Sequence, residues 1–258
     1  MIFYLGAHHA HWLGLLDVPL FVSRRTLSGR HTFPRAMGSW ALDSGGFTEL
    51  SMHGRWTIGA REYASEVRRF RDEIGGLAWA APQDWMCEAE MLKRTKLTIA
   101  DHIRLTVENF VELRSIAPDL PIVPVLQGWT SGDYYDCAEA YERAGVDLCA
   151  EPLVGLGTVC RRQNTTSAAL LVSGFVAAGL KIHGFGFKAT GLKTCGKLLT
   201  SADSMAWSYH ARREPPLDEC RGKHKNCANC PIFALMWREA MLASMERSDG
   251  QLQLAGVA

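Results

Sequence analysis

Short apolar segments recur along the chain, and each of them ends in small or polar residues. Their apolar runs are nearly continuous rather than alternating, which is typical of strands that are buried on both faces. The segments read IFYLGA, VPLFVS, WALDSGG, LAWAAPQD, IVPVLQG, DLCAEPLVGLG, IHGFGFK and LLTSADS. The hydrophobic pattern therefore predicts eight buried strands.

Helical periodicity falls between several of these segments, because apolar residues recur there every three or four positions. The first such stripe comprises Tyr63, Val67, Phe70 and Ile74. The second comprises Ile103, Val107, Phe110 and Leu113. Residues 133–145 and 163–179 fit two further helices, and residues 231–247 fit a C-terminal one. This alternation of strands and helices predicts a parallel sheet.

Eight strands in one domain favour a barrel over an open sheet. We therefore expect an α/β fold, a (β/α)8 TIM-like barrel that a single domain forms over residues 1–258. The segment between Arg24 and Gly38 has no helical pattern, so the early connections are expected to be irregular. In such barrels the catalytic groups lie at the carboxyl ends of the strands.

Polar residues and glycines stand at these predicted strand ends. They are Asp43, Asp84, Gln127, the 155–157 segment, Lys188 and Asp203. Two carboxylates at one barrel mouth can act as nucleophile and general acid/base, whereas a further carboxylate and a carboxamide can match the edge of a planar heterocycle. The alternative for any single carboxylate is a cap for the following helix.

Aromatic residues follow some of the same strand ends. They are Phe47, Trp85 and Trp129. Each of these rings could stack on a base, and the alternative for each is ordinary core packing. The glycines of VGLG, residues 154–157, would let the backbone approach a ligand closely.

Composition and charge exclude some classes of protein. Hydrophobic residues make up 47% and charged residues 21% of the sequence, which is ordinary for a soluble globular protein. No apolar run reaches the roughly 18 residues of a membrane span, and the N-terminus lacks a signal-peptide pattern. We therefore expect a cytoplasmic protein, in a host cell if a phage encodes it, with no membrane partner.

The charge is uneven along the chain, although the net charge is only +1. Between Gly155 and Lys225 there are eleven Lys and Arg residues against four Asp and Glu residues. This excess favours a polyanionic partner near that part of the chain, and the alternative is a solvated basic face.

The strand-end motifs together resemble a known family. DSGGF at residues 43–47, PQD ending at Asp84, VLQG around Gln127, VGLG and SADS around Asp203 follow the order of the motifs of tRNA-guanine transglycosylases. The chain is more similar still to the DNA-directed branch, the deazapurine DNA-modification transglycosylases of bacteria and phages. APQDWMCE, VPVLQGW, VGLGTVCRRQ, HGFGFK and SADSMAWS carry that closer resemblance.

The resemblance implies a base exchange through a covalent sugar–enzyme ester. By position, Asp203 matches the nucleophile and Asp43 the general acid/base. The residues that match base recognition, or that we expect to bind the substrate with them, are Asp84, Gln127, Gly155, Leu156, Phe47 and Lys188. The implied substrates are guanine in DNA and a 7-deazaguanine base, 7-cyano-7-deazaguanine (preQ0) being the first choice.

Two departures bear on the nucleic acid that this chain would modify. The tRNA enzymes carry a Pro-Thr-Arg segment just after the nucleophile, whereas this chain reads SMAWSYHARR there, and the tRNA enzymes are also longer. The differences favour DNA over tRNA. Candidate phosphate contacts are Arg161, Arg162, Arg212 and Arg213, each of which could instead form a surface ion pair. A catalytically silent binding module is the other alternative, and a homodimer or an accessory protein could help to hold DNA.

A cysteine cluster lies near the C-terminal end of the sequence. DECRGKHKNCANCP places Cys220, His224, Cys227 and Cys230 close together, and this set matches a structural Zn²⁺ site with three sulfur ligands and one nitrogen ligand. A metal in the 218–232 segment would fix the chain after the last strand to the helix that begins near Pro231. The alternatives are His210 as the nitrogen ligand, and a reduced cluster without metal. His8, His9 and His11 form no clear chelate, and they could line the mouth or lie in a loop.

Overall fold

The computed structural model describes residues 1–158, 166–187 and 189–255. Its strands, β1 to β8 in chain order, are Ile2–Ala7, Leu20–Ser23, Trp40–Asp43, Leu77–Ala80, Val125–Leu126, Val154–Leu156, Ile182–Gly184 and Ser201–Ser204. Each of the eight predicted segments contains one of them. The expected eight-stranded α/β, TIM-like fold is thereby confirmed.

Helices connect these strands. In chain order, α1 to α10 span Arg24–Leu27, Gly46–His53, Ala60–Ile74, Ala89–Thr95, Ile99–Ile116, Ser131–Arg143, Thr166–Ala177, Ala189–Cys195, Ala206–Ala211 and Pro231–Ala255. No described helix is both long and apolar enough to cross a membrane.

The strands form one parallel sheet in the order β4-β3-β2-β1-β8-β7-β6-β5. The two ends of this order meet through a single parallel bridge between Ala80, at the end of β4, and Ile122, just before β5. Val123 N donates to Ala80 O at 3.1 Å and Ala80 N donates to Pro121 O at 2.9 Å. Among the described strands, every other neighbouring pair shares at least two partners, so we call this β4–β5 contact the seam.

Alternation along each strand separates two sets of side chains. In β1, Phe3 and Leu5 pack outward against the helices, whereas Tyr4 points into the barrel. The interior set also includes Trp79, and Phe21 packs against it. A small aromatic core therefore fills the barrel beneath its mouth.

The long helices form where the periodicity predicts them. The stripe residues of α3 and of α5 are all buried, so these faces cover the outside of the sheet. Thr98 and Asp101 form a capping box that begins α5, and Thr130 and Asp133 do the same for α6. Between Arg24 and Gly38 only α1, with four residues, is helical, which agrees with the irregular connection expected there.

Candidate active site

The carboxyl ends of the strands surround a cavity of about 340 Å³. Asp43 lies at the end of β3, Asp203 lies within β8, and Asp84 and Gln127 follow β4 and β5. All four line the cavity, together with Phe47 in the first turn of α2, whose side chain is half exposed. The barrel thus gathers residues that are far apart in the sequence around one mouth.

Burial raises the pKa of two of these carboxyl groups. Burial of the side chain raises the pKa of Asp43 above its ordinary value. The negative charge of Asp203 raises this pKa further, whereas a hydrogen bond from Ser23 opposes the shift. Burial likewise raises the pKa of Asp84 to about 7, with the Gln127 hydrogen bond opposing and the charge of Asp43 adding. Asp84 can therefore exchange a proton close to neutral pH, and the raised pKa of Asp43 favours its protonated form.

A hydrogen-bond network fixes the side chain of Gln127, which is fully buried. Its Nε2 donates to Asp84 Oδ2 at 2.5 Å, and its Oε1 accepts from Thr158 Oγ1 at 2.6 Å. Ser44 Oγ donates to the other Asp84 oxygen at 3.3 Å. Both ends of the amide are therefore engaged, and its N–H groups lie on the side of Asp84.

Glycines make room for this network. A Cβ atom on Gly157 would come within 2.3 Å of Gln127 Nε2, and one on Gly155 would come within 2.5 Å of the Phe185 ring. The Tyr134 hydroxyl donates to Gly157 O at 2.7 Å and holds this segment in place. The glycines thus serve close packing within the barrel.

The predicted pair Gly155 and Leu156 does not line the cavity in the described part of the chain, whereas the next two residues, Gly157 and Thr158, do. Gly155 N donates to Pro124 O at 2.8 Å, and the Leu156 side chain is buried. The Gly155 N–H is therefore already engaged in a hydrogen bond with the neighbouring chain segment. A direct contact of Gly155 or Leu156 with the base stays a prediction.

The Asp203 carboxylate is held from one side. Its Oδ1 accepts from Gly186 N at 2.8 Å and lies 3.3 Å from His183 Nε2, whose other ring nitrogen lies 2.8 Å from Ser201 Oγ. Burial lowers the pKa of His183, and the neighbouring Asp203 opposes this shift. A neutral His183 accepts from Ser201 at Nδ1 and donates to Asp203 from Nε2, which fixes the carboxylate orientation.

The reasoning from sequence missed His183 and Thr158. Rings surround His183, with centroids 4.5 Å away at Trp79 and 4.7 Å away at Phe185. Each missed residue lies inside or next to a strand-end segment, and His183 shares the inward register of Asp203. Alternation counted back from the strand end was the signal that could have found His183.

An aromatic residue of α9 and two arginines just after this helix lie beyond the end of β8. Arg212 and Arg213 are exposed, and the Arg213 guanidinium lies 3.3 Å from the centroid of the exposed Tyr209 ring. His8, just after β1, forms a 2.8 Å hydrogen bond with Ser208 Oγ. The remaining predicted contacts lie outside the described residues: Lys188, Arg161 and Arg162.

A comparison with models of known protein families identifies the family of this chain. The model of the DpdA family, DeoxyPurine in DNA protein A, matches residues 1–256. The chain belongs to this family. A comparison with curated proteins finds no match. Membership of the DpdA family supports a DNA-modifying transglycosylase, which confirms the resemblance to the DNA-directed branch.

The DpdA-family chain also carries a candidate metal centre. Cys220, His224, Cys227 and Cys230 bring their ligand atoms within 4.8 Å of one another, and the three cysteines are buried. Of the two histidines considered as the nitrogen ligand, His224 is in this group. His210 instead lies 3.0 Å from Glu214.

The spacing of the donor atoms tests whether Zn²⁺ fits. Tetrahedral Zn²⁺ with Zn–S bonds of about 2.3 Å places its sulfur ligands about 3.8 Å apart. Cys220 Sγ and Cys230 Sγ are 3.8 Å apart, and His224 Nε2 lies 3.2 Å from Cys227 Sγ. The cluster is therefore compatible with zinc, which these four residues would hold.

Proposed function

We propose that the protein exchanges guanine in DNA for a 7-deazaguanine base, with preQ0 as the first candidate. The observation that carries this proposal is the gathering of Asp43, Asp84, Gln127 and Asp203 around one cavity of a DpdA-family barrel. A silent binding module has no need of this set. The base must leave the DNA stack to reach the cavity.

Base recognition is assigned to Asp84 and Gln127. An ionised Asp84 accepts hydrogen bonds from the N1–H and 2-amino groups of a guanine-like base. The amide nitrogen of Gln127, which donates one hydrogen to Asp84, has a second hydrogen for the 6-oxo group. Phe47, half exposed at the cavity, supplies a ring that can stack on the base.

The exchange consists of two displacements at the anomeric carbon. Asp203 Oδ2, which neither Gly186 nor His183 contacts, attacks C1′, and the bond from C1′ to the guanine nitrogen breaks. The electron pair of that bond goes to the leaving guanine, which takes a proton from Asp43. The incoming base then gives its N9 proton to Asp43, bonds to C1′ and releases Asp203.

The remaining groups support this chemistry. We assign phosphate contacts to the exposed Arg212 and Arg213, of which Arg213 lies over the exposed Tyr209 ring. Zn²⁺ held by the cysteine–histidine cluster would stabilise the fold, and the proposed exchange needs no metal-activated water. Its site is separate from the cavity, because no residue of the cluster lines it among the described residues.

Nucleoside mass spectrometry tests the proposal most directly. Purified protein is incubated with labelled preQ0 and either single-stranded DNA, duplex DNA or tRNA, and the digested nucleosides are analysed. We expect label in DNA. Label in tRNA alone would overturn the DNA assignment, and no label in any polymer would overturn the proposed exchange.

The Asp203→Asn variant tests the mechanism in the same assay. It keeps a hydrogen-bond acceptor for Gly186 but removes the nucleophile, so both exchange and the covalent DNA adduct on a denaturing gel should disappear. The Asp136→Asn variant, on the outer helix α6, is the matched control and should retain both. An adduct that persists in Asp203→Asn would assign the nucleophile to another residue, with Asp43 as the first to test.

A further inference from the structure

Thr158 has an unusual backbone for its residue type. Its φ is +57°, in the left-handed region that β-branched residues rarely adopt, yet its side chain is buried beside the cavity. A residue persists in such a conformation when its surroundings require it, and these positions cluster where a ligand binds. The backbone conformation therefore suggests that the Thr158 side chain has a role at the cavity.

The Thr158 hydroxyl has one hydrogen and defined partners. Its oxygen accepts from Cys87 N at 3.0 Å. Two acceptors lie near its hydrogen, Gln127 Oε1 at 2.6 Å and Glu88 Oε2 at 3.3 Å, and the shorter distance favours Gln127. The hydroxyl therefore accepts from the Cys87 amide and donates its hydrogen to the Gln127 carbonyl.

This contact decides which end of the amide reaches the base. With Oε1 turned to Thr158, Gln127 keeps its nitrogen on the side of Asp84 and acts towards a ligand as a donor alone. We propose that the Thr158 hydroxyl fixes the direction of the Gln127 amide and so makes the cavity selective for purines that carry a 6-oxo group. The inference rests on the proposed function, which assigns base recognition to Gln127.

The alternative base that this arrangement rejects carries a 6-amino group. Such a base offers a hydrogen where guanine offers an oxygen, so it needs Gln127 to turn its carbonyl outward. That rotation would leave the amide nitrogen facing the Thr158 oxygen and would move the hydroxyl hydrogen to the more distant Glu88. The wild-type protein should therefore prefer guanine to 2,6-diaminopurine, which differs in carrying an amino group at position 6 and no hydrogen on N1.

The test uses single-stranded DNA with one guanine or one 2,6-diaminopurine at the same position. Release of that base is measured with preQ0 as the incoming base, at pH 6.5 and at pH 8.5. At pH 6.5 more of Asp84 is protonated than at pH 8.5, and a protonated carboxyl group can pair with either end of the amide, so the direction of the amide depends more on Thr158. At pH 8.5 the ionised Asp84 carboxylate also requires the amide nitrogen.

Thr158→Val removes the hydroxyl but keeps the branched shape, and it should reduce the guanine preference about tenfold at pH 6.5 but little at pH 8.5, since about one hydrogen bond is lost. Thr158→Ser keeps the hydroxyl and should retain the preference at both pH values. Thr158→Gly, which adopts a positive φ without strain, should fold well and lose the preference as Thr158→Val does.

The outcomes separate this inference from the proposed function. A wild-type guanine preference that survives in Thr158→Gly and Thr158→Val at pH 6.5 would overturn the role of Thr158 while leaving the exchange reaction in place. Loss of preference in both variants, with retention in Thr158→Ser, would support the role. Absence of exchange by the wild-type protein would overturn the proposed function and this inference with it.

Discussion

Asp84 combines a buried carboxyl group with a proposed base-binding role, and burial and base binding favour opposite protonation states. A base that donates from N1–H and its amino group needs the ionised form, whereas burial favours the protonated form and raises the pKa to about 7. The Gln127 and Ser44 hydrogen bonds reduce this conflict without removing it. The buried, ionised form of Asp84 therefore lowers the stability of the protein, and the proposed base recognition depends on that form.

The Asp84→Asn variant should be more stable and inactive. In the wild-type protein the contribution of Asp84 to stability is full below its unfolded pKa and is lost as the pH rises through about 7. The difference in unfolding free energy between the variant and the wild type should therefore increase by about 1 to 2 kcal/mol from pH 5 to pH 8. This figure is smaller than the full pKa shift implies, because Asp84 borders the open cavity and solvent screens its charge. Urea unfolding at several pH values measures it.

A matched control is Asp101→Asn, in the capping box of α5. Hydrogen bonds from Thr98 lower the pKa of Asp101, so its contribution is full above the ordinary carboxyl range and is lost only at acidic pH. Its difference from the wild type should stay constant between pH 5 and pH 8. A constant difference for Asp84→Asn as well would contradict the raised pKa.

At the residue scale, the sequence predicts those side chains whose type is itself unusual at a strand end. Asp43, Asp84 and Asp203 are charged residues beside apolar runs, so their positions stand out. His183 and Thr158 do not, because a lone histidine and a threonine are ordinary in strands and loops. Their partners come from other strands and are visible only after the barrel has formed.

At the element scale, the strands and the long helices were predictable, whereas the short helices were not. Near-continuous apolar runs mark every strand, and the stripes of α3 and α5 extend over several turns. The helices α2, α4, α8 and α9 have at most eight residues, which is about two turns and too few for a periodic stripe. Each follows a strand or a mouth loop, where the barrel connection, rather than periodicity, favours a helix.

The cysteine–histidine segment connects three elements. Ser208 of α9 donates to Ala228 O at 2.8 Å and accepts from His8, after β1. At the other end of the segment, Ala234 N donates to Cys230 O at the start of α10. A metal in this segment would therefore tie α10 to the ends of β1 and β8.

Loss of the metal should loosen these elements. The Cys227→Ser, Cys230→Ser double variant is expected to lose about one Zn²⁺ per chain and to unfold at a lower temperature, because metal binding stabilises only the folded site. Elemental analysis and thermal unfolding measure the two effects. The Cys149→Ser variant, which changes an exposed cysteine outside the cluster, should match the wild type in both. Full metal retention by the double variant would refute the assignment.

At the scale of the whole molecule, the seam lies between the two residues proposed to bind the base. Asp84 follows β4 and Gln127 follows β5, so their 2.5 Å hydrogen bond crosses the seam, where the described residues form a single bridge. A base bound to both side chains adds further hydrogen bonds across the same gap. Local opening at this joint should therefore depend on the ligand.

Hydrogen exchange measures that dependence. Without a base, the amide hydrogens of Ala80 and Val123 should exchange faster than that of Leu5, which donates to Pro19 O between two well-paired strands. Saturating guanine should slow the first two by about tenfold or more and leave Leu5 unchanged. In Gln127→Leu the slowing should vanish, and equal slowing in that variant would show that the base does not act through the pair.

The seam, the β4–β5 contact, could serve as the point at which the barrel opens. If the base binds to Asp84 and Gln127 as proposed, the β4–β5 contact would open less often with the base bound than without it. Opening of the seam would admit a flipped nucleotide from the side. Its closure around the base would hold the sugar in place for attack by Asp203. The substrate would then complete the wall of the chamber in which it reacts.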